Sequence, residues 1–295
     1  MIGRRRFLGA AGGLMLLAVN RANAGNADVP DSKGLSDVMA ALERRSGGRL
    51  GVAMLDTGSG RRFDWRGDEM FPMCSTFKFL LAAAILKRVD EGRESLTRRI
   101  PVSPGDLIPY APFAETRVNG TPPTVAELCE ATMTLSDNVA ANLLLPAVGD
   151  PAGLTAFVRS LGDERTRLDR NEPTLNSSIP GDPRDTTTPN AMVHSMNRLM
   201  VGDALRPSSR EQLIDWMVGN KTGDKRLRAG LPRDWRVGDK TGTGNGSIND
   251  IGIAWPGARP PILIASYITQ TPEGFKQGDA IHADVARAAT GAFTG

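Results

Sequence analysis

Strand-like segments lie near both ends of this 295-residue chain, and the long section between them is helical. Arg49 to Leu55 and Arg61 to Trp65, joined by Thr57-Gly58-Ser59-Gly60, read as a hairpin. Trp235 to Thr241, Asn249 to Trp255 and Ile262 to Thr269 are three further strand candidates. In between, helical signals mark Ser75 to Val89, Thr124 to Met133 behind the capping box Thr124-x-x-Glu127, Asn138 to Val148, and Pro151 to Leu161 with Asp150 as cap. Pro189 to Met200, capped by Thr188, and Ser208 to Val218 complete that set. Leu35, Val38, Met39 and Leu42 give an amphipathic helix ahead of the first strand, stopping at Gly47-Gly48, and Asp279 to Ala289 a last helix. One sheet accounts for all the strands only if the C-terminus returns to the N-terminus, which makes the helical middle an insertion. The predicted class is α+β: a sheet lobe of residues 25–70 and 219–295, a helical lobe of 71–218, and a cleft between them. Residues 163–187 show no periodicity and are rich in Asp, Arg, Asn, Pro and Thr. An irregular stretch of that length inside a compact domain is either functional or misread.

Composition narrows the function classes. With 40% hydrophobic residues the chain can bury a large core. Arg4, Arg5 and Arg6 precede the apolar run Phe7 to Val19, and Ala22-Asn23-Ala24 forms a small-x-small cleavage site, so residues 1–24 read as a signal peptide for export to the periplasm or beyond. Arg-Arg-x-Phe-Leu resembles the twin-arginine signal, while three arginines before a short apolar stretch suit the general route too. Without those residues 32 basic groups face 33 acidic ones, a formal charge of −1, and no Lys/Arg stripe exists to recruit nucleic acid or an anionic membrane. No segment has the roughly 20 apolar residues of a bilayer span. The two cysteines, Cys74 and Cys129, are no disulfide scaffold, and two histidines without a CxxC pair build no His-rich zinc site, so neither metal nor cofactor is expected. His194 falls within a helix pattern, and a reactive serine is expected to work without it.

Ser75-Thr76-Phe77-Lys78 sets a hydroxyl and an ammonium on one helical face at the head of an apolar helix. A serine becomes nucleophilic when a neighbour takes its proton, and unpaired N–H groups at a helix start can face developing negative charge. Ser136-Asp137-Asn138 can present a second hydroxyl and a carboxamide from a turn, and Lys240-Thr241-Gly242 ends a strand where an ammonium and hydroxyls bind an anion. Each alone is also an ordinary cap or strand end; together, in this order and spacing, they are not.

The set resembles the class A serine β-lactamases across the whole mature chain. A fourth element strengthens the likeness: Arg170-Asn171-Glu172-Pro173-Thr174-Leu175-Asn176, which looks like that family's omega loop and which penicillin-binding proteins lack. The resemblance implies an antiparallel sheet and cofactor-free hydrolysis of small β-lactams; a monomer is the default expectation, which the sequence itself does not decide. It implies Ser75 as nucleophile, Lys78 as proton relay, Ser136 as proton carrier to the lactam nitrogen, and Glu172 with Asn176 as holders of a hydrolytic water. Asn138 would bind the substrate's side-chain amide. Lys240, Thr241, Thr243 and Arg226 would hold its carboxylate, with Gly242 beside it. Tyr110, after Asp106-Leu107-Ile108-Pro109, would form an aromatic wall. Arg170 would pair with Asp185 across the loop's neck, and Glu172-Pro173 would be cis. The positions that bridge to Cys129 and Cys74 in some relatives are Ala82 and Gly244 here, so both thiols are expected free. Two other readings remain: a D-alanyl-D-alanine carboxypeptidase or transpeptidase, which would not need Glu172, and a β-lactam sensor, which would need a membrane anchor.

Overall fold

The computed structural model describes residues 32–294, so the leader expected at residues 1–24 lies outside the described part. In chain order the elements are α1 (Ser32–Ser46), β1 (Arg49–Asp56), β2 (Arg62–Trp65), β3 (Phe71–Pro72), α2 (Phe77–Asp90), α3 (Val125–Thr134), α4 (Asn138–Val148) and α5 (Asp150–Ser160). Then follow β4 (Thr186–Thr187), α6 (Pro189–Met200), α7 (Pro207–Val218), α8 (Leu227–Gly230), β5 (Arg236–Gly244), β6 (Ser247–Trp255), β7 (Ile262–Thr269) and α9 (Gly278–Thr294). Five strands form one antiparallel sheet in the order β2-β1-β7-β6-β5, which is the expected return of the C-terminus to the N-terminal hairpin. β3 and β4 pair as a separate two-stranded ribbon with no sequence signal behind it.

Every residue of β7 is buried, because both faces of the sheet are covered. Successive side chains point to opposite faces and sort into two cores. Leu50, Val52 and Met54 of β1, with Ile262, Ile264 and Ile268 of β7, pack against Leu35, Met39 and Leu42 of α1 and Ile281, Val285 and Phe293 of α9. Ala53, Leu55, Leu263, Ala265 and Tyr267 face the other way, into a core shared with α2, α3, α4, α6 and α7. At the centre of that second core α2 is buried from Phe77 to Leu86, apolar all round except for Lys78. Among the described residues no single helix is long and apolar enough to cross a membrane.

Two local expectations need correction. α2 starts at Phe77, not Ser75; Cys74–Thr76 form one tighter 3-10 turn ahead of it. Asp150 does not cap α5. Gly149 takes the left-handed conformation (φ 89°) that ends α4, and its carbonyl accepts the Gly153 N–H at 2.8 Å, so the helix begins one residue earlier.

His282 ties α9 to the sheet: Nε2 donates to the Ile248 carbonyl at 3.1 Å and Nδ1 accepts from Ser266 Oγ at 2.8 Å. Burial pulls it down to about 3, from 6.5. The folded state therefore resists a proton that the unfolded chain accepts, and stability, complete above pH 6.5, falls as the pH drops toward 3. Between pH 7 and 5 the parent is expected to lose about 2 kcal/mol more than His282→Gln in urea unfolding. Equal losses would contradict this assignment.

Candidate active site

The 3-10 turn decides how the Ser75 hydroxyl meets the Lys78 amine. In such a turn residues i and i+3 nearly eclipse, and Lys78 Nζ comes to 3.0 Å from Ser75 Oγ. Lys78 is fully buried and its amine has five neighbours. It donates to the Ser136 carbonyl at 2.8 Å and to Asn138 Oδ1 at 2.6 Å, oxygens that carry no proton. Its remaining direction faces Ser75 Oγ, Glu172 Oε1 at 3.0 Å and, more distantly, Ser136 Oγ at 3.5 Å. As an ammonium it donates there; as a neutral amine it turns a lone pair toward the serine. Burial pulls Lys78 below the ordinary lysine range while Glu172 opposes that shift. Ser75 also lies 3.2 Å from Glu172 Oε1, so both groups are within reach of its proton.

Ser136 and Asn138 are held by the residue between them. Asp137, fully buried, accepts the Ala140 N–H as cap of α4 and the N–H groups of Phe113 and Ala114, each at 2.8 to 2.9 Å. Asn138 Nδ2 donates to the Pro109 carbonyl at 2.8 Å, which turns Oδ1 toward Lys78, and its backbone N–H donates to Tyr110 O. Tyr110 thus stands at the rim, 59% exposed. Ser136 (φ 59°), Cys74 (φ 45°) and Tyr110 (φ 67°) adopt left-handed backbone conformations that non-glycine residues rarely keep unless the surroundings impose them.

β5 supplies the opposite wall. Gly242 lets that strand touch the turn that carries Ser75, since a Cβ there would sit 2.7 Å from the Met73 carbonyl and 3.2 Å from Ser75 N. Lys240, buried, donates to Ser136 Oγ and to the Thr241 carbonyl, both at 2.9 Å. Burial, reinforced by the Lys78 charge, pulls it well below the usual range. Arg226 spans the strand end: Nε to Asp279 at 2.8 Å, Nη1 to the carbonyls of Gly242 (3.0 Å) and Asn249 (2.7 Å), and Nη2 to Thr243 Oγ1 at 2.9 Å.

The irregular stretch carries Glu172 into this company. Asp185 closes its neck, accepting Arg170 Nε at 2.6 Å and the N–H groups of Asp169 and Arg170 at 2.8 and 2.9 Å. The Glu172-Pro173 bond is cis, and a 3-10 turn (Thr174–Ser177) sets Asn176 Nδ2 at 2.5 Å from Glu172 Oε2. Asn176 Oδ1 is buried without a protein partner among the described residues. From α4, Asn142 grips the Glu172 backbone at both ends, accepting its N–H at 3.0 Å and donating to its carbonyl at 2.9 Å. Sequence reasoning missed Asn142, although its place four residues after Asn138 put it on the same helical face.

A cavity of about 410 Å³ opens over this group, lined by Ser75, Tyr110, Ser136, Asn138, Asn176, Arg226, Thr241, Gly242 and Thr243, and by Thr222, which no motif contains. Lys78, Glu172 and Lys240 back its wall. The catalytic and substrate-binding residues named from sequence therefore converge, whereas Arg170 and Asp185 stand apart at the loop's neck; three basic side chains against one carboxylate suit an anionic ligand. His194 instead contacts the Leu161 carbonyl. Both cysteines are free and buried; Cys74 lies 2.7 Å from where a Cβ on Gly244 would sit.

A family model of the Beta-lactamase enzyme family matches residues 34–293. Beta-lactamase Toho-1 of Escherichia coli is 48% identical over 256 residues, 86% of this chain and 88% of its own. Beta-lactamase L2 of Stenotrophomonas maltophilia is 45% identical over 299 residues, 98% of each. The chain belongs to the class A β-lactamases. Among solved structures, an ancestral class A β-lactamase superposes with a TM-score of 0.86 at 62% identity, covering 88% of this chain and 100% of that one. A β-lactamase from Xanthomonas campestris gives the same TM-score, 0.86, at 51% identity over 88% of this chain and 98% of its own.

In this β-lactamase Asp185→Ala strips the buried acceptor from two part-buried N–H groups and a guanidinium. It is expected to cost roughly 3 kcal/mol or more in urea unfolding. A loss under about 1 kcal/mol, no more than an exposed ion pair is worth, would show that the pair does not hold the loop.

Proposed function

We propose that this class A β-lactamase hydrolyses its β-lactam in two steps, through an ester on Ser75 that water activated by Glu172 then cleaves. The observation that carries this reading is the Glu172 carboxylate itself, buried with one oxygen on Lys78 and Ser75 and the other on Asn176. In the first step Ser75 Oγ attacks the lactam carbonyl while its proton passes to the Lys78–Glu172 pair. The N–H groups of Ser75 and Thr243 receive the oxyanion, at roughly 3 to 4 kcal/mol per donor. As the C–N bond breaks, Ser136 delivers a proton to the nitrogen; its hydroxyl lies between the two lysines, which can refill it. Lys240, Thr241, Thr243 and Arg226 hold the substrate carboxylate, Asn138 its side-chain amide, and Tyr110 covers one side.

In the second step a water between Glu172 and the orphaned Asn176 Oδ1 gives its proton to Glu172 and attacks the ester carbon; as the C–O bond breaks, the Lys78–Glu172 pair returns a proton to Ser75 Oγ and the serine is freed. The ring-opened product no longer acylates, and the outcome is antibiotic resistance. Export to the periplasm by the twin-arginine or general route belongs to the same proposal, as does a monomeric state. A D-alanyl-D-alanine carboxypeptidase would form the same ester, but nothing in its chemistry calls for a clamped carboxylate opposite the nucleophile.

Purified residues 25–295 are expected to turn over a penicillin many times per molecule. Glu172→Ala is expected to retain a covalent adduct on Ser75 by intact mass, lost about 10² to 10⁴ times more slowly than from the parent. A variant that clears its adduct as fast as the parent overturns the role given to Glu172, and hydrolysis surviving Ser75→Ala overturns that of the serine.

A further inference from the structure

Thr222, between α7 and α8, has hydrogen bonds that admit one arrangement of protons. Its backbone N–H donates to Asn220 Oδ1 at 3.1 Å, and the other end of that amide, Nδ2, donates to Asp239 Oδ2 at 2.7 Å. The Asn220 carbonyl oxygen is thereby fixed on the Thr222 side. Thr222 Oγ1 lies 2.8 Å from the same oxygen, which has no proton to give, so Thr222 donates. A hydroxyl has one proton. The remaining contact, 2.6 Å to Thr241 Oγ1, is therefore filled by the proton of Thr241. The chain runs from Thr241 through Thr222 to Asn220 and is anchored at buried Asp239, itself paired with Arg228. At rest, Thr241 turns a lone pair toward the cavity.

We infer that Thr222 is a positioning residue of the carboxylate subsite, holding the Thr241 hydroxyl off the ligand. By accepting the Thr241 proton it keeps that hydroxyl from donating until a stronger acceptor than a threonine oxygen draws the proton round. An ionised carboxylate is such an acceptor, whereas a neutral ester carbonyl is about an equal match and gains little. A ligand that draws the Thr241 proton breaks the bond to Thr222, so Thr222 sets how strong an acceptor must be before it gains this hydroxyl and weakens the hold on a carboxylate by that one bond. The inference rests on the reading in which Thr241 meets the substrate carboxylate, and it names a residue that reading does not use.

Two measurements decide it. Neutron diffraction from deuterated, substrate-free crystals is expected to place the Thr241 deuteron on the line to Thr222 Oγ1. A deuteron pointing into the cavity overturns the inference, whatever the substrate is and whether or not any variant folds. In kinetics with a penicillin and its methyl ester, Thr222→Val is expected to lower KM for the acid about three- to tenfold, the worth of one hydrogen bond, and KM for the ester by no more than that, with kcat retained. Thr222→Ser is expected to restore the parent's KM for the acid. An unchanged KM for the acid in the valine variant overturns the inference. Absence of any Ser75 ester would instead strike at the mechanism above, leaving the deuteron's position to decide this one.

Discussion

A lysine ammonium buried in the first turn of an apolar helix is the constraint around which this molecule is built. Taking such a charge out of water costs several kcal/mol unless a counter-charge and a full set of acceptors meet it. Here three parts of the chain supply them: the turn before α4 gives the Ser136 carbonyl and Asn138 Oδ1, the irregular stretch gives Glu172 at 3.0 Å, and Ser75 completes the shell. Each was brought there by separate devices, the Asp137 cap for one and the Asp185–Arg170 neck with the Asn142 clamp for the other. In the proposed mechanism the groups that make a buried lysine tolerable are also the groups that take and return its proton.

The sheet has a quieter part. Its five strands are covered on both faces, and Gly242 of β5 lies against the turn that carries Ser75. That contact sets the width of the cavity between Ser75 and the hydroxyls of Thr241 and Thr243. Lys240 and Lys78 share Ser136 from opposite sides, and their mutual repulsion favours a proton moving away from whichever is charged.

Much of this was legible in the sequence because it rests on local patterns. Strand-like runs bounded by turn residues marked β1, β2, β5, β6 and β7, the Thr124–Glu127 box marked α3, and the four motifs named most of the residues that line or back the cavity. What was not legible depends on contacts between distant parts. The ribbon of β3 and β4 has two residues per strand and no room for a pattern. The 3-10 turn at Cys74–Thr76 and the Gly149 cap come from how the flanking elements are packed. Thr222 carries no motif, because its place is set by Asn220 and a neighbour on β5, 19 residues away.

The central claim is that Glu172, in the position where it offsets Lys78, also orients the water that releases the product. A crystal structure of the penicillin adduct of Glu172→Gln tests this most directly, because the slowed variant holds the ester long enough to be seen. The account predicts a water within about 3 Å of both residue 172 and Asn176 Oδ1 and facing the ester carbon. A side chain at 172 turned out to bulk solvent, with no water between it and the ester, would contradict it.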